Sequence, residues 1–154
     1  MAVKPIPDGY HSVTPYLILN DATAALEFYK KAFGAVELLR MPAPGGRIGH
    51  AEIKIGDSPV MLADENPEMN ARSARTIGGS PISLMVYVAD VDAVVAQAVA
   101  AGGKLVRPVA DQFYGDRTGG VDDPFGYHWY IATHVEDVPP DELEKRAAKA
   151  MGGG

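Results

Sequence analysis

No cysteine occurs in the 154 residues, which removes disulfides, thiolate nucleophiles and zinc–sulfur sites together. The redox compartment is left open by the same absence. Positive charge is scarce: 14 Lys and Arg stand against 20 Asp and Glu. The resulting net charge of −6 repels a phosphate backbone, so no nucleic-acid partner is expected. No apolar run approaches the roughly 20 residues that cross a bilayer, so no membrane partner is expected either. The opening "MAVKPIPDGYHSV" has no apolar signal core, and a cytoplasmic location is the default expectation. What remains is 47% hydrophobic and 22% charged, in a length that suits one domain or two small halves sharing a core.

The chain repeats itself. "TPYLILNDATAALEFYKKAFGA" from Thr14 and "SLMVYVADVDAVVAQAVAAGGK" from Ser83 read alike. Each opens with a β-prone run and then reaches an aspartate, Asp21 or Asp90, placed to cap a helix. Ala25, Leu26, Phe28, Tyr29, Ala32 and Phe33 then recur at helical spacing, as do Val91, Val94, Val95, Ala98 and Val99. Gly34 and Gly102-Gly103 stop the two helices. Thr14 and Ser83 are 69 residues apart, as are Asp21 and Asp90. The same offset lays "DSPVMLAD" on "GYHWYIAT" as closing strands, with two further β-prone stretches before each. The fold expected is α+β: two tandem βαβββ modules forming a curved sheet around a cleft, with an appended C-terminal helix. Residues 1–9 are an N-terminal arm, 10–64 the first module, 65–81 a polar Gly/Pro-rich linker and 82–135 the second module. Residues 136–154 are the helix, with a Glu142–Arg146 pair, and a "GGG" tail expected to fray.

Such a duplicated βαβββ chain resembles the vicinal-oxygen-chelate superfamily of glyoxalase I, extradiol dioxygenases and bleomycin-resistance proteins. The stretches "HSVTPYLILNDATAALEFYKKAFGA", "GRIGHAEIKIGDSPVMLADE" and "DQFYGDRTGGVDDPFGYHWYIATHVEDV" resemble its PhnB-like branch. In metal-dependent members each half supplies two His, Glu or Gln ligands. Carried onto this chain, those places fall at Thr14, Met61, Ser83 and Tyr130. None is a good ligand for zinc, nickel or iron, so no metal is expected at the family positions. The resemblance also implies a homodimer.

Strand alternation assigns neighbours to the faces of those four positions. Tyr16 and Ile18 share a face with Thr14, Met85 and Tyr87 with Ser83, Pro59 and Ala63 with Met61, and His128 with Tyr130. That lining of rings, thioethers and hydroxyls suits a flat or partly apolar organic ligand. It offers no acidic groove for a cationic antibiotic. In "RIGHAEIKIG", Ala51, Ile53 and Ile55 alternate with His50, Glu52 and Lys54. His50 and Glu52 form a candidate acid/base pair, and His128 is a candidate third ligand for a displaced divalent metal. An exposed strand face with satisfied side chains is the plain alternative.

"DQFYGDRTGGVDDPFGYHWYIATH" combines a turn at Asp123-Pro124-Phe125-Gly126 with buried packing at Trp129 and Ile131. Within "DQFYGDR", Arg117 is a candidate fork for an anion, Asp116 its orienter and Tyr114 a ligand cover; a structural Arg–Asp pair is the alternative. Two main functional readings stand open: a binding protein for a small molecule without cofactor, or a lyase or isomerase using His50, Glu52 and His128. A third is an interaction module docking through the Ala-rich C-terminal helix.

Overall fold

The first of the two apolar repeats begins as strand β1 (Tyr16–Leu19), where Leu17 and Leu19 are buried and Tyr16 is exposed. The second begins as β5 (Leu84–Tyr87), in which Leu84 and Val86 pack on the core and Met85 and Tyr87 stand out. The computed structural model describes residues 2–152. The predicted helices follow: α1 (Ala22–Phe33) and α3 (Val91–Ala100), with the short α2 (Ala74–Ile77) between the halves. The Asp21 carboxylate accepts from the Ala24 N–H at 3.0 Å and Asp90 from Ala93 at 3.1 Å, each satisfying a free donor of the first turn. Gly34 ends α1 in the left-handed conformation, with φ 67°. Helix α3 ends one residue earlier than "GG" suggests, because Ala101 caps it.

Each half completes a four-stranded sheet. The first has the order β1-β4-β3-β2, with β2 (Val36–Ala43), β3 (Arg47–Ile55) and β4 (Ser58–Asp64). The second has the order β5-β8-β7-β6, with β6 (Lys104–Asp111), β7 (Asp116–Asp122) and β8 (His128–His134). In each, the first strand runs parallel to the last and the others pair antiparallel. Tyr16 lies opposite Met61, and Met85 opposite Tyr130, so the 69-residue offset is kept across these pairs. It slips to 68 at the next strand, where Glu52 faces Met61 but Gly120 faces Tyr130. Strands β1 and β5 are both sheet edges.

The two halves share one core. Helix α1 packs on α3, and the Gln97 amide donates to the Ala32 carbonyl at 3.0 Å. Phe33 and Tyr29 of the first half lie 4.6 and 5.4 Å, centroid to centroid, from Trp129 of the second. Trp129 and Ile131 are buried, as their strand parity requires. Residues 65–81 are more than a polar loop: they hold a 3-10 turn (Pro67–Met69) and α2, which Ser73 caps by accepting from Thr76. Ser73 is fully buried; the Arg75 guanidinium, 2.9 Å from the Pro124 carbonyl, ties this segment to the second half, and the Glu65 N–H, donating to the Leu19 carbonyl at 3.0 Å, ties it to the first. Polar composition marked it as a loop; a buried serine cap at one turn's length leaves little trace in sequence. The last helix, α4 (Pro140–Gly152), carries the expected Arg146–Glu142 bond at 3.1 Å and buries none of its residues. Gly153 and Gly154, the rest of the tail expected to fray, lie outside the described residues, as does Met1. No helix among the described residues is long and apolar enough to cross a membrane.

Candidate functional site

Three regions carry chemistry. The first is the outer face of β3. Parity puts Ala51 and Ile53 into the core and turns His50 and Glu52 outward, where each stays half-buried. His50 Nε2 lies 2.8 Å from a Glu52 oxygen, and the Tyr16 hydroxyl 2.7 Å from His50 Nδ1. The other Glu52 oxygen accepts the hydroxyl of Tyr10, which reaches in from the stretch that precedes β1. A carboxylate only accepts, so Nε2 carries the imidazole proton and Nδ1 accepts from Tyr16. The result is one oriented chain, Tyr16 to His50 to Glu52, with Tyr10 fixing the carboxylate. Burial raises the Tyr16 pKa, so the phenol stays a hydrogen-bond donor at neutral pH.

The second region is a cleft of about 1050 Å³ between the two sheet edges. Tyr16 of β1 and Ser83, Met85 and Tyr87 around β5 line it, with His11 and Trp129. Thr14 and Met61 are not part of this lining. The Tyr87 hydroxyl donates at 2.8 Å to Asp116, which is buried and also holds His134 Nδ1 at 2.7 Å. Asp116 raises the Tyr87 pKa through that bond, and raises His134 together with Asp137.

The third region is the open face of the second sheet. A cavity of about 280 Å³ there is lined by Arg107, Pro108, Gln112, Tyr114, Thr118 and Tyr130. His128 stands beside Tyr130, edge to face at 4.4 Å, and bonds Asp122 through Nδ1 at 2.8 Å.

The sequence-predicted residues are thus dispersed. His50, Glu52 and Tyr16 come together; Tyr114 and Tyr130 border the small cavity; His128 belongs to the second sheet. Among the described residues no three His, Asp or Glu side chains stand close enough to hold a metal ion. His50, Glu52 and His128 are therefore not gathered into the displaced site that their residue types suggested: Glu52 holds His50 on β3, while His128 is held by Asp122. The Arg117 reading also needs correction. Neighbours on a strand point to opposite faces, so Asp116 does not orient Arg117. Arg117 turns to α3 and is held by Asp92 at 2.8 Å and Asp111 at 3.1 Å, the structural pairing. Tyr10 and Arg107 were missed. Tyr10 gave no signal in the polar stretch before β1, whereas a lone arginine inside "KLVRPVA" did mark a β-prone run interrupted by a charge.

A family model described as the Glyoxalase/Bleomycin resistance protein/Dioxygenase superfamily matches residues 10–131. The chain belongs to this superfamily. An uncharacterised protein of Mycobacterium tuberculosis is 41% identical over 146 residues, covering 93% of this chain and 85% of that one. The crystal structure of TioX from Micromonospora sp. ML1 aligns with a TM-score of 0.64 at 29% identity, over 81% of this chain and 99% of that one. A PhnB protein from Bacillus cereus aligns at 0.62 and 18% identity, over 80% and 99%, a likeness of fold alone. A superfamily metal does not fit the residues here. Positions 61 and 130 occupy the matched register beside β1 and β5, yet they present a thioether and a phenol, and Thr14 and Ser83 add only neutral hydroxyls.

Proposed function

We propose that this superfamily member binds a small, partly apolar organic molecule in the cleft between its halves, without a metal at the superfamily positions. The observation that supports this most is the cleft wall itself. Tyr16, Met85 and Tyr87 stand 46%, 46% and 59% exposed along one cavity of about 1050 Å³. Clustered exposed apolar groups of this kind mark interaction sites, and the volume suits a metabolite-sized ligand. A homodimer is part of the same proposal, because β1 and β5 are sheet edges, and the opposite edges, β2 and β6, leave Leu38, Leu39, Met41, Leu105 and Val106 exposed.

The test uses 1-anilinonaphthalene-8-sulfonate as probe and the single tryptophan, Trp129 on the cleft wall, as reporter. Tyr87→Phe keeps the ring and should keep binding, whereas Tyr87→Ala should weaken it about tenfold, the equivalent of ~1.4 kcal/mol. Equal affinity in Tyr87→Ala sinks the cleft as the binding site. Sedimentation followed at the probe's absorbance reads the mass of the binding species in the same sample; a monomer at all concentrations removes the dimer.

One observation favours a second reading, a lyase or isomerase. The chain Tyr16–His50–Glu52 has the order of a proton relay: a hydroxyl, a base with its acceptor nitrogen toward that hydroxyl, and a carboxylate behind it. In this reading His50 takes up a proton through Tyr16, Glu52 stabilises the imidazolium that forms, and Tyr10 holds Glu52 in place. Such a relay would exchange protons next to a carbonyl without knowledge of the natural substrate. Methyl-proton exchange of pyruvate in D₂O, followed by NMR, should be accelerated by the protein and fall about 100-fold in His50→Ala and Glu52→Gln. Acceleration that survives both substitutions, or none by the wild type, rules this reading out.

A further inference from the structure

The two halves share a frame but not their side chains. With the 68-residue offset that relates β3 to β7, His50 corresponds to Thr118 and Glu52 to Gly120. Where the first half carries its base and carboxylate, the second carries a hydroxyl and no side chain at all. Across the ladder, Leu39 faces Glu52, and its counterpart Arg107 faces Gly120. The second half has exchanged an apolar residue and an acid for a cation and a gap.

Gly120 is what lets that cation settle. A Cβ there would lie 3.1 Å from Arg107 Cβ and 3.0 Å from His128 Cε1, tighter than ordinary contact. Without one, the Arg107 stem lies on the strand and its guanidinium stands 5.8 Å from the Tyr130 ring centroid. Among the described residues no carboxylate or carbonyl accepts from it, whereas Arg40, Arg117 and Arg146 are engaged by Glu or Asp, and Arg47 and Arg75 by backbone carbonyls. In a chain with a net charge of −6, an arginine left to a tyrosine face is a donor fork with its hydrogen bonds unspent.

The groups around it are complementary. Gln112, Thr118, Tyr114 and Tyr130 bring an amide and three hydroxyls to the rim of the same cavity of about 280 Å³. Beside it, His128 Nε2 is buried without a partner, the one such side-chain atom among the described residues. With Nδ1 of the neutral imidazole donating to Asp122, that Nε2 is an acceptor, and it adds no positive charge to compete with Arg107.

We propose that this cavity is an anion site, in which Arg107 grips the carboxylate of a small ring-bearing acid while Tyr130 and Tyr114 flank the ring. It is separate from the cleft between β1 and β5 and does not depend on what that cleft binds. A cavity of this size holds a fragment, and a fragment of that class should bind near ~1 mM.

Calorimetric titration with sodium benzoate at low salt is the direct test, with benzamide as the uncharged counterpart and phenylphosphonate as the alternative oxyanion. Benzoate should bind, benzamide should not, and Arg107→Gln should weaken benzoate at least tenfold while Arg107→Lys keeps part of the affinity. Preference for phenylphosphonate keeps the anion site and reassigns its ligand to phosphonates or phosphates. Arg107 is exposed, so the variants should melt with the wild type and folding does not confuse the result. Tyr16→Ala, in the cleft but on the first sheet, should leave benzoate binding unchanged; failure of the cleft reading is thereby kept apart from failure of this one. Equal binding in Arg107→Gln, equal binding of benzamide, or no binding of any anion overturns the proposal.

Discussion

Replacing Asp123 with alanine should cost about 4 kcal/mol, read as a shift in the urea midpoint and a fall in Tm of about 10 °C. The carboxylate is buried and accepts four hydrogen bonds. One oxygen takes the Tyr29 hydroxyl at 2.7 Å and the Trp129 indole N–H at 2.9 Å. The other takes the backbone N–H groups of Phe125 and Tyr127, both at 2.9 Å. Alanine leaves all four donors in a site closed to water, and each orphaned donor costs about 1–3 kcal/mol before the structure relaxes. Asp123→Asn keeps the shape and should fall between, since one end of the amide meets two donors with its own N–H groups. Tyr29→Phe in the wild type should cost about 1–2 kcal/mol, and markedly less in the alanine background, where its partner has gone. A loss below ~1 kcal/mol for Asp123→Ala would mean that water reaches the site. The consequence reaches function, because the same carboxylate orders Trp129 and Tyr127 at the border of the cleft.

That network also marks where reading the sequence stops. The turn at Asp123-Pro124-Phe125-Gly126 follows from residue type, and so do the helix caps at Asp21 and Asp90, because both are local. Burial of Trp129 and exposure of Met85 follow from parity, because a strand has only two faces. The reach of Tyr29 to a carboxylate 94 residues away is not local, and nothing in the spacing announces it. Parity also cannot say which element an outward side chain will meet. Residue type leaves Arg117 open between a ligand grip and a structural pair; the structural pair is what forms, because its face of β7 looks at the start of α3, where Asp92 waits. Parity turns His50 and His128 away from the core but does not say how the two faces sit relative to the cleft, whose lining contains neither.

The repeat was legible to one residue, and that residue matters. An offset of 69 aligns the parallel edge pairs and finds Tyr16 beside Met61 and Met85 beside Tyr130. Used on the third strand it would match Glu52 with Val121, a fully buried residue. The actual offset of 68 matches Glu52 with Gly120 and exposes the exchange of an acid for a gap that Arg107 fills. A one-residue slip reverses every side chain between core and surface, so the divergence of the two halves becomes visible only once pairing is known.

The largest single effect of a small substitution should come from Gly115→Ala, at the tip of the β6–β7 hairpin. Its φ of 103° is a conformation that side chains rarely adopt, worth about 1–3 kcal/mol on its own. A Cβ built there would lie 2.2 Å from the Glu136 carbonyl oxygen and 3.1 Å from Val138 Cγ2. Neither neighbour can withdraw cheaply. The Gly115 carbonyl accepts from the N–H groups of Val135 and Glu136 at 2.9 and 3.0 Å, and Arg146 of α4 clamps Glu136 at 2.8 Å and the Phe113 carbonyl at 3.1 Å. Alanine must therefore break this seam or displace the hairpin tip, and we expect a loss of about 4 kcal/mol or more by urea unfolding. Arg146→Ala loosens the clamp, so it should cost less alone and lessen the penalty of Gly115→Ala in the double variant. The tip carries Gln112 and Tyr114, which border the Arg107 cavity. Whatever fraction of Gly115→Ala still folds should then bind benzoate more weakly than the wild type, whereas a variant that loses stability but keeps full affinity would separate the seam from the cavity it supports.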